Sequence, residues 1–197
     1  MEEERILDKE FWNKRYEMNH IGWDIGYPST PIKTYIDQLT NKNIDILIPG
    51  AGNAHEAHYL LEQGFKSITI LDIAPLVVEK NKELFKNNPE VKVIEGDFWE
   101  FEGQFDLIFE QTFFCTLPLS FRPKYFKKIA ELLKEKGRLC GVLFNVHFES
   151  GPPFGGDIEE YRAMIPLQLF NIDKLEECYN SIKPRSGNEV WLNLQKV

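Results

Sequence analysis

The stretch Ile44–Phe65, "IDILIPGAGNAHEAHYLLEQGF", runs from a largely apolar segment of strand length, Ile44 to Ile48, through a turn at Pro49-Gly50 into a helical pattern. The helix is expected from about Asn53 to Gln63, with Gly64 as its natural C′ residue. Strand, glycine turn and helix in that order form the first half of a βαβ unit. The same alternation recurs downstream. "SITILDI" (67–73) reads as a second strand, followed by a helix that starts at Pro75. "VKVIEGDF" (91–98) and "FDLIFEQTFF" (105–114) read as a third and a fourth. A helix is expected from Phe121 to Lys134, ending toward Gly137, and "RLCGVLFNV" (138–146) as the fifth strand.

Upstream, "DKEFWNKRYEM" (8–18) reads as a short amphipathic helix capped by Asp8, followed by the turn-rich "GWDIGYPSTP" (22–31) and a helix near 31–40. After the fifth strand comes a Pro/Gly-rich loop, "ESGPPFGGD" (149–157). Helices are then expected near 157–164 and 172–178, and "CYNSIKPRSGNEVWLNLQKV" (178–197) reads as two strands joined by a turn. The fold class that follows is α/β: a doubly wound, Rossmann-like, mostly parallel seven-stranded sheet with helices on both faces and an antiparallel C-terminal strand. The expected organisation is one domain over residues 1–197, in which residues 1–43 form a helical, aromatic lid.

Composition narrows the partner. With 31 acidic against 23 basic residues the net charge is −8, which disfavours a phosphate-neutralising nucleic-acid surface. The lysines of "KYFKKIAELLKEK" (124–136) alternate with apolar positions and with Glu131 and Glu135, as on a solvated helix face. No apolar run approaches a membrane span, and the acidic start "MEEERILDKE" has no leader-like apolar core. Cys115, Cys140 and Cys178, three and widely spaced, read as packing residues rather than a disulfide framework, so a reducing cytoplasm is the expected compartment. A small-molecule partner is expected, with no nucleic acid and no membrane. The oligomeric state is open, and a monomer is compatible with the sequence.

In an open parallel sheet the ligand crevice lies beyond the carboxyl ends of the strands. There Gly50 and Gly52 let a ligand approach the backbone. Asp72, 20 residues after Gly52, can accept hydrogen bonds from both ribose hydroxyls of an adenosine. Asp97 could accept from an adenine amino group, and Phe98 could stack on the base. The sixth position of a dinucleotide fingerprint is His55 instead of glycine, and no Walker lysine follows, so the pattern suits an adenosine cofactor without a pyrophosphate. S-adenosylmethionine is such a cofactor. Its sulfonium is well matched by aromatic faces, which Trp12, Tyr16 and Trp23 supply.

These residues resemble the thiopurine S-methyltransferase family, most closely its plant-type halide and thiol methyltransferase branch. The resemblance spans nearly the whole chain. It is carried by "FW…GWDIGYPSTP", "LIPGAGNAHEAHYLLEQGF", "LDIAP", "EGDFWEF", "FDLIFEQTFFCTL", "RPKYFKKIAELLKEKGRL" and "GPPF". It implies a class I fold and methyl transfer from S-adenosylmethionine, with S-adenosylhomocysteine as product. It further implies that Trp12 and Trp23 close over the cofactor, with Tyr16 where the halide branch usually has tryptophan. Gly50 would lie against the methionine part, Asp72 with Ile73 at the ribose, and Asp97 with Phe98 at the adenine. Glu110 matches an acidic position near the cofactor, and Gln111 replaces a tyrosine usual in the halide branch. Arg122, Phe114 and Phe154 are implied at the substrate, with "GPPF" on the pocket rim.

No nucleophile–base pair is evident. His55 and His58 lack zinc-site spacing and read as ordinary helix residues, while His20 and His147 are isolated. This fits in-line displacement by a soft nucleophile (thiol, hydrosulfide, related chalcogen or halide) that needs no strong base. No catalytic residue and no metal site is assigned. The alternatives are an oxygen or nitrogen acceptor with Glu110 as base, a non-catalytic binder of the cofactor, and a short nicotinamide oxidoreductase, which the missing third glycine and absent substrate domain disfavour.

Overall fold

The computed structural model describes residues 7–197; residues 1–6, part of the acidic start read above for a leader, lie outside the described residues. Seven strands form one sheet: β1 Asp45–Pro49, β2 Ser67–Asp72, β3 Val91–Glu95, β4 Phe105–Gln111, β5 Leu133–Phe144, β6 Phe170–Glu177 and β7 Glu189–Lys196. Their spatial order is β3-β2-β1-β4-β5-β7-β6. β1 to β5 run parallel, and β7 is antiparallel to both β5 and β6. The order reverses between β1 and β4, so the crevice at their carboxyl ends is the place for a ligand.

The central strands are apolar on both faces because helices cover both. Along β1, Leu47 points into one core layer while Ile46 and Ile48 point into the other. The first layer is closed by α5 (Arg122–Leu132) and α6 (Ile158–Met164) through Phe126, Ile129 and Tyr161. The second is closed by α2 (Thr30–Gln38) and α3 (His55–Glu62) through Ile32, Ile36 and Leu60. α4 (Pro75–Leu84) follows β2 and buries Val77, Val78 and Asn81. α1 (Lys9–Glu17) buries no residue fully. Polar contacts help to hold it: Lys9 pairs with Glu95, and Leu76 N donates to Asn13 Oδ1 at 2.8 Å. Among the described residues no helix is long and apolar enough to cross a membrane. The three cysteines are free and buried.

Four boundaries differ from the sequence expectation. Residues 170–177, expected as part of a helix near 172–178, form β6. Ile172, Leu175 and Cys178 recur every three residues, which imitates a helix. The cause is a register shift between Ile172 and Lys174 in the pairing with β7, which inserts one residue into a period of two. The expected two strands of 178–197 are one, β7; its antiparallel partner is β6, and the residues between carry a short 3₁₀ turn at Lys183–Arg185. α5 stops at Leu132, and β5 begins at Leu133, where Leu133 pairs with Phe105. β4 stops at Gln111, because Thr112 adopts φ +56° and turns the chain away from the sheet.

Candidate functional site

The glycine turn after β1 is built from left-handed residues: Gly50 (φ +59°), Gly52 (φ +52°) and, unusually for a residue with a side chain, Ala54 (φ +56°). A Cβ on Gly50 would stand 2.5 Å from the Phe113 ring, and one on Gly52 3.1 Å from the Tyr16 hydroxyl. Asp72, at the end of β2, ties the turn down. Its Oδ2 accepts from Gly52 N at 2.9 Å and its Oδ1 from Ala74 N at 3.0 Å, with Ile73 between them in the chain. Burial pushes the Asp72 carboxyl above its ordinary pKa, against the pull of these backbone N–H groups. Asn81 on α4, fully buried, donates to Gly52 O at 2.8 Å from the other side. At the neighbouring strand end Gly96 N donates to Asp72 O at 3.0 Å, and Asp97 accepts from Trp99 N at 2.8 Å.

The aromatic segment lies over this turn. Trp23 meets Trp12 and Tyr16 edge to face, at centroid distances of 5.7 and 5.8 Å. Burial and the nearby Asp72 raise the Tyr16 hydroxyl well above its ordinary pKa. Asp24 pins the segment to the start of α3. It accepts from Asn53 Nδ2 and from Gly26 N at 2.7 Å, and His55 Nε2 lies 2.8 Å from its Oδ1. His55, read from the sequence as an ordinary helix residue, is therefore part of the lid's attachment. Together Trp23, Asp24, Ile25, Tyr27, Gly50, Gly52, His55, Glu56, Gln111 and Thr112 line a cleft of about 470 Å³, open mouth included.

Beyond Thr112, which borders both, lies a second, narrower cavity between the ends of β4 and β5, lined by Glu110, Phe114, Cys115, Phe144 and Glu189. Glu110 is fully buried, and its carboxylate accepts from Phe113 N, Phe114 N (both 2.8 Å) and Tyr125 Oη (2.7 Å). Burial outweighs these donors and raises its pKa to about 7. Its contacts shape the turn that carries Gln111 and Thr112, in place of the cofactor contact expected of it.

Two further expectations are corrected. Phe98 is 5% exposed and stacks on Tyr125 at 5.7 Å within the core, so its ring is not presented to a base. Arg122 is 1% exposed, and its two terminal nitrogens donate to Phe154 O (2.7 Å) and Gly155 O (2.9 Å) while the guanidinium lies 4.6 Å from the Phe114 ring. It holds the Pro/Gly-rich loop onto α5 instead of facing a substrate. Phe154 is drawn in by the same loop, with its N–H donating to Cys115 O at 2.6 Å.

One cation that the sequence reading missed lies between the lid and the second cavity. Arg185 donates from Nη2 to Trp23 O at 3.0 Å, pairs with Glu189 at 3.4 Å and lies 5.5 Å from the Phe144 ring. It thus stands where the lid, the cleft and the second cavity meet. Its position within "IKPRSGNE" carries no local pattern, and only its partners, far away in the chain, mark it. Ser29 and Glu56 were missed in the same way. Ser29 Oγ donates to Gln111 Oε1 at 2.9 Å, and Ser29 N donates to Glu56 Oε1 at 3.0 Å.

S-adenosylmethionine fits this arrangement. The glycine turn is hydrogen-bonded to a half-buried carboxylate at the β2 end, where a ribose diol would be received, and three aromatic rings stand beside it. The profile of the family described as Thiopurine S-methyltransferase (TPMT) matches residues 7–193. The chain is 30% identical over 185 residues to a probable thiol methyltransferase 2 of Arabidopsis thaliana, covering 90% of this chain and 81% of that one. It is 28% identical to thiocyanate methyltransferase 1 of Brassica oleracea, covering 94% and 84%. Its fold matches that of a 1,6-didemethyltoxoflavin-N1-methyltransferase from Burkholderia thailandensis, solved with S-adenosylhomocysteine. The TM-score is 0.76 over 96% of this chain and 87% of that one, at 17% identity, a likeness of fold.

Proposed function

The chain belongs to the thiopurine S-methyltransferase family of S-adenosylmethionine-dependent enzymes, and we propose that its acceptor is a small, soft nucleophile of the thiol, hydrosulfide, chalcogenide or halide class. One observation carries this reading: neither Glu110 nor Glu189, the carboxylates that line the narrower cavity beside the cleft, stands free to take a proton. Glu110 accepts from three donors, and Glu189 is engaged by Arg185. An oxygen or nitrogen acceptor would ask for such a base. A thiolate or halide arrives ionised, and Arg185, though paired with Glu189, is a cation placed between the lid and the second cavity to meet it.

The cofactor brings an electrophilic methyl group on a positively charged sulfur. The rest is the work of this chain. Asp72 and Asp97 would hold the adenosine end, and Gly50 and Gly52 would let the chain of the ligand lie against the backbone. Trp12, Tyr16 and Trp23 would face the sulfonium and exclude water. Gln111 and Thr112, at the strained end of β4, would bound the space in which the nucleophile meets the methyl group, and near-linear alignment there is worth several kcal/mol. We propose that the chain works as one domain, with the segment up to residue 43 as its lid. Three buried free thiols accord with a reducing cytoplasm.

The test is to incubate the purified protein with S-adenosylmethionine and, separately, iodide, hydrosulfide, thiocyanate and an aromatic thiol, and to quantify S-adenosylhomocysteine. Turnover with the small anions or the thiol is expected. Turnover confined to oxygen or nitrogen acceptors would overturn the assignment.

A further inference from the structure

Glu56 lies in the first turn of α3, where acidic side chains usually face solvent; here it is 7% exposed and lines the cleft together with Trp23, Asp24, Gly50 and Gly52. Its charge has no lysine or arginine to meet among the described residues. The groups around it are the N–H of Ser29 on Oε1, its own backbone N–H, His55, and a second carboxylate, Asp24. His55 is already taken up by Asp24. A buried carboxylate without a cation is costly to keep, and the cost is relieved when a ligand supplies the cation. Burial accordingly raises the Glu56 pKa.

The glycine turn joins the cleft to the neighbouring strand ends: Gly52 lines the cleft, and its N–H is held by Asp72. Asp72 and Asp97 stand at the β2 and β3 strand ends, where an adenosine would be received. The cleft itself, lined by Trp23, Asp24, Ile25, Tyr27 and Glu56, is left for the amino-acid part of the cofactor. That part carries an α-ammonium group. We propose that Glu56 is the counter-charge for this ammonium and the residue by which the site prefers the complete cofactor to truncated adenosine thioethers. The inference rests on the S-adenosylmethionine reading above. Ser29, bonded to both Glu56 and Gln111, links this part of the cleft to the acceptor side.

The test measures binding, not turnover. Isothermal titration compares wild type with Glu56→Gln, which keeps an oxygen for the Ser29 N–H, using S-adenosylhomocysteine and 5′-methylthioadenosine, a thioether that lacks the amino-acid end. The expected result is an affinity for S-adenosylhomocysteine about 10-fold to 30-fold weaker in the variant, with 5′-methylthioadenosine unchanged. S-adenosylhomocysteine binding within about twofold of wild type, or an equal loss for both ligands, overturns the proposal. Failure of the wild-type protein to bind either ligand would instead overturn the cofactor reading itself. If Glu56→Gln does not fold, wild type is titrated with deaminated S-adenosylhomocysteine. A comparable loss against the intact ligand is expected, and equal affinity overturns the proposal.

Discussion

At the β1–β2 side of the cleft the anchors are near one another in the chain, and most end on backbone: Gly52 to Asp72 across 20 residues, Asn81 to Gly52 across 29. At the acceptor side they are side chains brought from both ends of the protein: Arg185 to Trp23 across 162 residues, Ser29 to Gln111 across 82. The first kind of site follows from a strand-turn-helix unit and tolerates little variation. The second depends on how the lid and the C-terminal strands settle on the sheet. Within one family the first is therefore the more constant construction and the second the place where acceptors are chosen.

The comparison breaks first at Asp72. Asp72→Ala removes the acceptor of Gly52 N and Ala74 N and the proposed ribose contact, so cofactor affinity measured by titration should fall roughly 100-fold or more. A loss below about threefold would mean that the cofactor is not held there. Next come the two arginines, which should separate cleanly. Arg122→Gln takes the guanidinium away from Phe154 O and Gly155 O in a half-buried loop, and should cost about 2–4 kcal/mol of unfolding free energy by denaturant titration. Arg185→Gln should raise the acceptor KM about 10-fold while cofactor affinity stays within about twofold. The reverse pattern would return the substrate role to Arg122.

Glu110 sharpens the contrast through pH. Its folded pKa, about 7, lies above the ordinary carboxylate value of 4.5, so between these values the folded state holds a proton that the unfolded state has lost. Stability from this group is greatest at low pH and declines as pH rises from about 4.5 to 7, by up to about 1.4 kcal/mol per unit. Glu110→Gln removes that slope. Denaturant midpoints followed across the window should therefore decline less steeply for the variant than for wild type. The smallest effect belongs to Lys9→Ala. Its pairing with Glu95 is exposed and screened by solvent, so losing it should leave the denaturant midpoint nearly unchanged and cofactor affinity within about twofold. A larger change in affinity would show that α1 is held over the cofactor chiefly by this pair.

Much of the fold was legible because the strands of a doubly wound sheet are buried on both faces and read as apolar runs, as Ile46–Ile48 and Ile68–Leu71 do. β6 was not, since a bulge turned its period of two into an apparent period of three. Phe98 was assigned from its position at a strand end, but sequence position does not say which way a ring turns, and here it turns into the core. Arg122 was implied at the substrate by resemblance, yet its two terminal nitrogens are taken up by two loop carbonyls.

By itself the amino-acid order determined the α/β architecture, the left-handed glycine turn and Asp72 beneath it, because each is a local requirement of backbone geometry within a βαβ unit. Tertiary structure alone decided where the charges fall. Glu56 lines the cleft, Arg185 joins Trp23 to Glu189 and Arg122 is spent on a loop, because burial and hydrogen-bond partners are settled by segments that meet only once the sheet is assembled.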